Sequence, residues 1–339
     1  MDFELDDAQQ AIAQVAGEVL SGPPELAWKE LGRSGMLSLA VPQWLGGEGL
    51  GMAQISVLLA EVGRRAAAVP ALATLALGVL PVARWGSREQ QEELLAPGAV
   101  LTAALREPSA PMPYRPRTVA TEDLRLTGTK MGVPYAAAAY RILIPVCLST
   151  GDAAVALLDP AAPGVGLQPS PTSGDQPEYT LVLSGAAADG LLGGAGAVPD
   201  LYRHAIAGGC AVGDGVLAGA LGLTAKHVAE RHQFGRPLAT FQAVAQQIAD
   251  VYIAARTVHL AATSACWGLA DPDLGVAAYW LASQLPPALR TCHHLHGGQG
   301  MDVSCPLHRY SALGKDLVRF LGGPQHCLDR LGGTACSST

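Results

Sequence analysis

The residues of this 339-residue chain with the clearest chemical potential lie in two short segments of its last third. The first reads Arg231-x-x-Phe234-Gly235-Arg236-Pro237 and is followed by Phe241-Gln242. A guanidinium is permanently charged and binds two oxygens of a phosphate at once, so Arg231 suits a phosphate ligand. The alternative interpretation is an ordinary arginine at a helix end beside a core phenylalanine.

The second segment, His293-His294-Leu295-His296-Gly297-Gly298-Gln299-Gly300, combines histidines with closely spaced glycines. Glycines let the backbone approach a ligand, and their N–H groups can face phosphate or ribose oxygens. Three histidines next to Cys292 also raise a metal site as an alternative. Their spacing matches no recognisable set of metal ligands, so packing against an organic ligand is the favoured interpretation.

Helices are predicted on both sides of these segments and again at the N-terminus. Asp6 or Asp7 is expected to cap a first helix that runs to Leu20, and Pro23-Pro24 follows it. Apolar residues at helical spacing predict further helices, and Pro237 is expected to end the long helix before the first segment near Phe234. The predicted helices cover 25–35, 52–65, 72–80, a long stretch after 198, 241–268 and 275–296.

Short apolar runs separated by Gly, Pro, Asp and Ser occupy the middle of the chain. The runs 141–146, 153–158 and 179–183 have the length and boundaries of strands in a small sheet or barrel. Helices, then strands, then helices predict an α+β fold. The predicted domains are an N-terminal helical domain (1–104), a middle β-domain (105–197) and a C-terminal helical bundle (198–339).

Composition excludes several classes of protein. The net charge is −7 and the 22 Lys and Arg residues are scattered, so the chain lacks the basic stripe of a nucleic-acid binder. Seven cysteines without a C-x-x-C pair argue against a disulfide framework or a zinc knuckle. The acidic first residues do not resemble a secretion signal, which favours a cytoplasmic location.

The stretch from Ala205 to Leu223 is long and apolar enough to raise a membrane span as an alternative. It contains six glycines and has Asp214 at its middle. An unpaired acid is costly inside a membrane. The spacings Gly209-x-x-x-Gly213 and Gly215-x-x-x-Gly219 equally fit helices in close contact, so a buried helix is predicted and no membrane contact is expected.

The two segments together resemble the flavin-contacting elements of acyl-CoA dehydrogenases. N-terminal runs such as Val41-Pro42-x-x-Leu45-Gly46-Gly47-x-Gly49 are similar to the same family. The resemblance implies that FAD is the cofactor and that the arginine reaches the pyrophosphate of a neighbouring subunit's FAD. The implied FAD contacts are Arg231, Gln233, Phe234, Gln242, His294, Gly297 and Gly298, with His294 where a glutamine is commoner in the family.

The family's catalytic base is missing at both places where the resemblance puts it. Acyl thioester dehydrogenation needs a base for the α-proton while hydride leaves the β-carbon, and the family uses a carboxylate. Counting along the chain places Leu321 at the commoner base position and Ala205 at the other. The middle domain also departs from the family, with Leu105-Arg106-Glu107-Pro108 for a Thr-Glu-Pro loop and small apolar residues after Val133.

The resemblance therefore implies a subunit without catalytic residues of its own. It is similar to the small subunits of actinobacterial heterotetrameric dehydrogenases that act on steroid side-chain CoA thioesters in cholesterol catabolism. The expected partner is a homologous subunit with the catalytic Glu in an α2β2 heterotetramer, and an electron-transfer flavoprotein is the expected acceptor. Two alternatives stay open: a self-sufficient homotetramer with a base such as Asp214, and a scaffold without flavin.

Overall fold

The computed structural model describes residues 3–96, 98–174 and 176–337, with side chains up to residue 333. Over these residues the chain divides into two compact units. The first unit comprises Met1–Ser21, Ser56–Ala67 and Gly209–Thr339, and the second comprises Gly22–Ile55 and Ala68–Gly208. The helical and strand-rich segments predicted from the sequence are all present.

Helices account for most of the chain outside its middle. Asp6 caps the first helix as predicted, because its carboxylate accepts the Gln9 N–H at 2.7 Å and the Gln9 side chain accepts the Asp6 N–H at 3.1 Å. The helices are α1 (Asp7–Leu20), α2 (Pro24–Arg33), α3 (Met52–Arg64), α4 (Leu80–Trp85), α5 (Arg88–Leu94), α6 (Ala197–Glu230), α7 (Gln242–Gly268), α8 (Asp271–His296), α9 (Leu307–Phe320) and α10 (Gly323–Ser337).

A mixed sheet of eight strands forms the centre of the second unit among the described residues. Its strands are β1 (Leu101–Ala103), β2 (Val119–Ala120), β3 (Arg125–Pro134), β4 (Arg141–Leu148), β5 (Ala153–Leu158), β6 (Val165–Ser170), β7 (Glu178–Ala187) and β8 (Gly190–Leu192). The order along the sheet is β6-β7-β3-β2-β4-β5-β8, and β1 pairs in parallel with β4. Strand β4 is buried on both faces, which explains its continuous apolar sequence.

Helix α6 is the longest element and contains the apolar stretch noted in the sequence. By length and composition it is the one helix of the described chain that could cross a membrane, but 72% of its most apolar window is buried inside the fold. A core helix passes the same test. The burial of α6 therefore supports the predicted buried helix over a membrane span.

Within the first unit, α3 and α6 approach each other so closely that only glycine fits at the contact. A Cβ on Gly215 would overlap the carbonyl oxygen of Ala60, and a Cβ on Gly63 would overlap the carbonyl oxygen of Val212. Farther along α6, a Cβ on Gly219 would meet Arg64 and Tyr310. The small-residue spacing in the sequence therefore marks close helix contacts, as predicted.

Several boundaries differ from the sequence predictions. Helix α6 ends at Glu230, before the predicted end near Phe234, because a short hairpin of β9 (His232–Gln233) and β10 (Arg236–Pro237) follows it at once. Residues 72–79, predicted to be an ordinary helix, form a π-helix. Helix α8 begins at Asp271, earlier than predicted, and runs through Pro286 and Pro287. Strands β1, β2, β3, β6 and β8 lie outside the predicted strand runs.

Replacing Gly215 with Ala should destabilise the first unit by about 3 kcal/mol or more, since the added methyl must push two helix backbones apart. Gly222→Ala is the matched control on the same helix, because nothing lies within 4 Å of a Cβ there. Alanine's helix propensity should make that control neutral or up to about 1 kcal/mol more stable. Urea unfolding followed by circular dichroism measures both, and equal stabilities of the two variants would contradict the close contact.

Candidate functional site

The first sequence motif folds as a tight turn that follows α6 directly. The Arg231 carbonyl accepts the Leu238 N–H at 2.8 Å, which closes the β9–β10 hairpin over Phe234-Gly235. Both turn residues have positive φ, 53° for Phe234 and 81° for Gly235. A positive φ at both central residues is the geometry of a type I′ hairpin turn, and it is strained for a bulky aromatic residue.

The side chains of this hairpin point outward. Phe234 is 91% exposed, although its ring lies edge-on to the Phe241 ring with 6.1 Å between the ring centres. The Arg236 guanidinium lies 4.1 Å from the Phe241 ring centre, so Arg236 already has an aromatic partner. Arg231, Gln233 and Gln242 are also exposed, and Gln242 is the first residue of α7.

Arg231 is exposed and carries an uncompensated charge. Across the described ranges 3–96, 98–174 and 176–337, no carboxylate forms an ion pair with its guanidinium. Its backbone is fixed by N–H donation to His227 at 2.9 Å, so its position at the end of α6 is set. An exposed, unpaired guanidinium is suited to bind a phosphate oxyanion.

The second motif lies at the end of α8 and leaves its glycine backbone open. Gly297 ends the helix with φ 57°, and its N–H donates to the carbonyls of His293 and His294. Nothing lies within 4 Å of a Cβ at either Gly297 or Gly298, and both are exposed. His294 is exposed beside them, so this turn presents accessible backbone and an imidazole to a ligand.

A histidine stack brings the two motifs to the same end of the first unit. The rings of His227 in α6 and His296 in α8 are 4.3 Å apart and nearly parallel. His296 Nδ1 also contacts the Cys292 carbonyl at 2.9 Å, which fixes its ring. Burial lowers the pKa of His227, and the Arg231 charge lowers it further, which favours the neutral imidazole.

The three histidines of the second motif have separate surroundings. His293 Nε2 contacts the Ser311 hydroxyl at 2.6 Å, His294 faces solvent and His296 is buried in the stack. Within the described part of the chain, no group of three His, Cys, Asp or Glu residues could hold a metal ion.

The residues at the two predicted base positions are apolar and buried. Leu321 ends α9 with 4% exposure, and Ala205 in α6 is fully buried. Leu321 packs close to Gly209, where an added Cβ would lie 3.6 Å from its side chain. Neither position has a group that accepts a proton.

Two acids of α6, Asp200 and Asp214, are already bound to other groups. Asp214, left open as a base from the sequence, contacts His259 Nδ1 at 2.9 Å and links α6 to α7. Asp200, which sequence reasoning missed, is buried and accepts the Trp85 indole N–H at 2.9 Å. Burial alone would raise the pKa of Asp200, but His204, Trp85 and Arg84 hold it below its ordinary value.

Glu107, in the loop that replaces the family's Thr-Glu-Pro, is part of a buried ion pair. Its carboxylate accepts from Lys130 Nζ at 2.8 Å and from the N–H groups of Arg117 and Thr118. Burial opposes its charge, but these partners hold the pKa of Glu107 below its ordinary value. Burial also lowers the pKa of Lys130 to about 8. The pair therefore stabilises the sheet and leaves Glu107 unavailable to a ligand.

The segment after Val133, predicted to supply only small apolar residues, also contains Tyr135. Its backbone has φ 54°, and its hydroxyl is buried without a hydrogen-bond partner among the described residues. Burial raises the pKa of Tyr135. The only sequence signal for this feature was Pro134, which ends β3.

Comparison with known proteins identifies the family of the chain. Residues 6–100 match the model of the acyl-CoA dehydrogenase N-terminal domain, and residues 200–325 match that of the acyl-CoA dehydrogenase C-terminal domain. The chain belongs to the acyl-CoA dehydrogenase family. Members of this family are flavoproteins and oxidoreductases that act on CH–CH bonds, so the predicted fold and enzyme class are confirmed.

Similar acyl-CoA dehydrogenases cover the whole chain. It is 48% identical over 348 aligned positions to acyl-CoA dehydrogenase FadE28 of Mycobacterium tuberculosis, covering 100% of both chains. A chain of the ChsE4-ChsE5 complex from Mycobacterium tuberculosis superposes with a TM-score of 0.92 at 31% identity, covering 99% of each. A chain of the Tcur3481-Tcur3483 steroid ACAD, solved as its G363A variant, superposes with a TM-score of 0.89 at 33% identity. The superposition covers 98% of this chain and 97% of that one.

Replacing Lys130 with Met should cost about 3–5 kcal/mol of unfolding free energy, because it leaves the Glu107 carboxylate buried without a counter-charge. The double variant Glu107→Gln/Lys130→Met removes both charges and should recover most of that loss. Urea unfolding compares the two, with exposed Lys315→Met as the control. A double variant no more stable than the single one would show that the charge pairing is unimportant.

Proposed function

We propose that this acyl-CoA dehydrogenase is the base-lacking subunit of a heteromeric FAD-dependent enzyme. The observation that carries the proposal is a contrast between the residues suited to bind the cofactor and the positions of the catalytic base. The residues suited to bind a dinucleotide are exposed and unpaired, whereas the positions for a catalytic base are occupied by the buried Leu321 and Ala205.

The residues present fit the pyrophosphate and adenosine portions of FAD. Arg231 supplies an exposed cation, and Gly297 and Gly298 supply accessible backbone without Cβ atoms. Gln233, Phe234, Gln242 and His294 complete the proposed contacts with donors and one aromatic ring. When bound, FAD would accept the hydride equivalent that leaves the β-carbon of the acyl thioester.

The partner in this proposal is a homologous dehydrogenase subunit with the catalytic Glu, in an α2β2 heterotetramer with one FAD per heterodimer. Two observations support a partner. The ChsE4-ChsE5 relative was solved as a complex, and the Tcur3481-Tcur3483 steroid ACAD also carries a paired name. In addition, Phe234, Met301 and Val303 are 91%, 82% and 84% exposed, and such large apolar side chains are more stable when covered.

The proposed substrate is a steroid side-chain CoA thioester, as in cholesterol catabolism. The support is the similarity to the Tcur3481-Tcur3483 steroid ACAD, which is stated for that protein. An electron-transfer flavoprotein is the proposed acceptor by family resemblance. We expect the complex in the cytoplasm, in keeping with the burial of α6.

Arg231→Ala is expected to remove most of the FAD from the purified complex of this chain and its partner. A bidentate, charge-assisted contact is lost, which should weaken FAD binding about tenfold or more. Flavin absorbance per heterodimer, together with FAD titration of the stripped complex, measures the change. Arg88→Ala is the control, because that exposed arginine stacks on Trp44 outside the site.

Retention of full FAD by the Arg231→Ala complex would favour the alternative of a scaffold that makes no flavin contact. The lone wild-type chain is expected to hold no stoichiometric FAD and to lack turnover. A lone chain with one FAD per polypeptide and full activity would rule out the heteromeric proposal.

The second candidate is a self-sufficient enzyme in which Asp214 is the base. The His259 contact and the position of Asp214 in the α6–α7 packing argue against this role. Asp214→Asn should therefore change turnover of the complex by less than about threefold, whereas loss of a general base costs about 10²–10⁴-fold. Steady-state turnover with a fixed acceptor measures this, and a loss in the larger range would restore the second candidate.

A further inference from the structure

Helix α7 has one buried face and one exposed face, and the centre of the exposed face is apolar. The residues of the buried face are Val251, Ala255, Val258, Ala262, Ala265 and Cys266. At about 100° per residue, Ile253 lies in the middle of the opposite face. Ile253 is 62% exposed, and Leu260, two turns later on the same face, is 43% exposed. Large apolar side chains aligned on one helix face mark a surface that is more stable when covered.

Two unpaired charges lie on this face at equal distances from Ile253. Asp250 precedes Ile253 by three residues, Arg256 follows it by three, and both are exposed. They therefore lie about 4.5 Å to either side of Ile253 along the helix axis and about 60° to either side around it. Within the described residues 3–96, 98–174 and 176–337, neither forms an ion pair. Residues six positions apart are not neighbours on a helix, so the two charges do not pair with each other.

This arrangement of charges is complementary to itself about a two-fold axis. When a second copy of α7 lies antiparallel with its Ile253 opposite the first, a residue three positions before Ile253 lies level with the residue three positions after it in the other copy. Asp250 of each copy is then level with Arg256 of the other, within reach of the long arginine side chain. Both charge pairs form at once, which is the property of an isologous contact between identical patches.

The residues around Ile253 permit a close approach of the two helices. Ala249 and Thr257 lie about one turn before and after Ile253 and are small. Thr257 donates its hydroxyl to the Ile253 carbonyl at 2.9 Å, so it brings no unsatisfied donor to the contact. Trp267, farther along the same face, is 60% exposed and extends the apolar surface. Gln242, a proposed FAD contact, lies about three turns from Ile253, where crossing helices have diverged.

We infer that the exposed face of α7 joins two copies of this chain across a two-fold axis at Ile253, with Asp250 of each copy paired with Arg256 of the other. A second copy is the occupant that fits, because this chain carries both members of the charge pair. In an α2β2 assembly this contact links the two heterodimers. The inference rests on the α7 face and does not depend on FAD binding or on the missing base.

Charge reversal tests the contact on the purified full-length chain by sedimentation velocity. The wild-type chain is expected to sediment as a dimer. Asp250→Arg and Arg256→Asp each turn both pairs into like-charge contacts, which should weaken self-association about tenfold or more. Glu122→Arg and Lys29→Asp are the matched controls, since they make the same charge changes at exposed positions outside α7 and should leave the dimer unchanged.

Two combinations restore opposite charges and are specific to the two-fold arrangement. The double variant Asp250→Arg/Arg256→Asp exchanges the charges within each copy, so its dimer should regain roughly the wild-type affinity. An equal mixture of the two single variants should also form a dimer, because one copy then has arginine at both positions and the other has aspartate at both. Differently tagged single variants should therefore copurify as a mixed pair.

The inference is overturned if the wild-type chain stays monomeric at its highest soluble concentration, or if either single reversal leaves the dimer intact. It is also overturned if neither combination restores association, because the face would then contact a different surface or a different protein. Circular dichroism melting of each variant tests folding, which exposed substitutions should change little. Loss of the proposed FAD site, measured with Arg231→Ala in the complex, leaves these outcomes unaffected.

Discussion

The stacking of His227 on His296 is the contact on which the arrangement of the proposed FAD contacts depends. Arg231 follows His227 by one helical turn, and Gly297 follows His296 directly, so the separation of the guanidinium from the glycine turn is set where α6 meets α8. Burial lowers the pKa of His227 and so favours its neutral form. A neutral His227 ring stacks on His296 without the repulsion that two imidazolium ions would experience. A neutral His227 also adds no second cation beside the exposed Arg231 guanidinium.

The apolar residues at the two base positions are packed into the fold. Leu321 fills space beside Gly209, and Ala205 is closely surrounded within its unit. The acids that remain near these elements, Asp200 and Asp214, have hydrogen-bonding partners. Installing a carboxylate at either position would bury a new charge without a counter-ion, which costs several kcal/mol. A single substitution at Leu321 or Ala205 is therefore expected to destabilise the fold before it could supply a base.

The sequence predicted those features that depend on local patterns. The Asp6 cap, the strand runs at 141–146 and 153–158, and the small-residue spacing of α6 all follow from neighbours a few residues apart. The family motifs added the order of helices and strands. The domain bounds and the seven proposed FAD contacts stay predictions.

Features that depend on distant partners could not be read from the sequence. Leu72–Val79 has the apolar spacing of an α-helix, and its π-form comes with tight packing of Gly78 on Leu101. The buried pair of Glu107 and Lys130 joins residues 23 positions apart, and the Asp200–Trp85 bond spans 115. None of these contacts leaves a periodic signal in the sequence.

Phe234 gives the last step of the argument for an incomplete site. A bulky residue at φ 53° costs on the order of 1 kcal/mol or more, and exposing its ring to water forgoes the gain of burial. Selection for stability alone would place Asn or Gly at this turn position and keep the aromatic side chain in the core. The ring contacts Phe241, but the rest of its surface is open. Strain combined with exposure is understandable when another molecule covers the ring, and the neighbouring unpaired Arg231 indicates that this molecule is negatively charged.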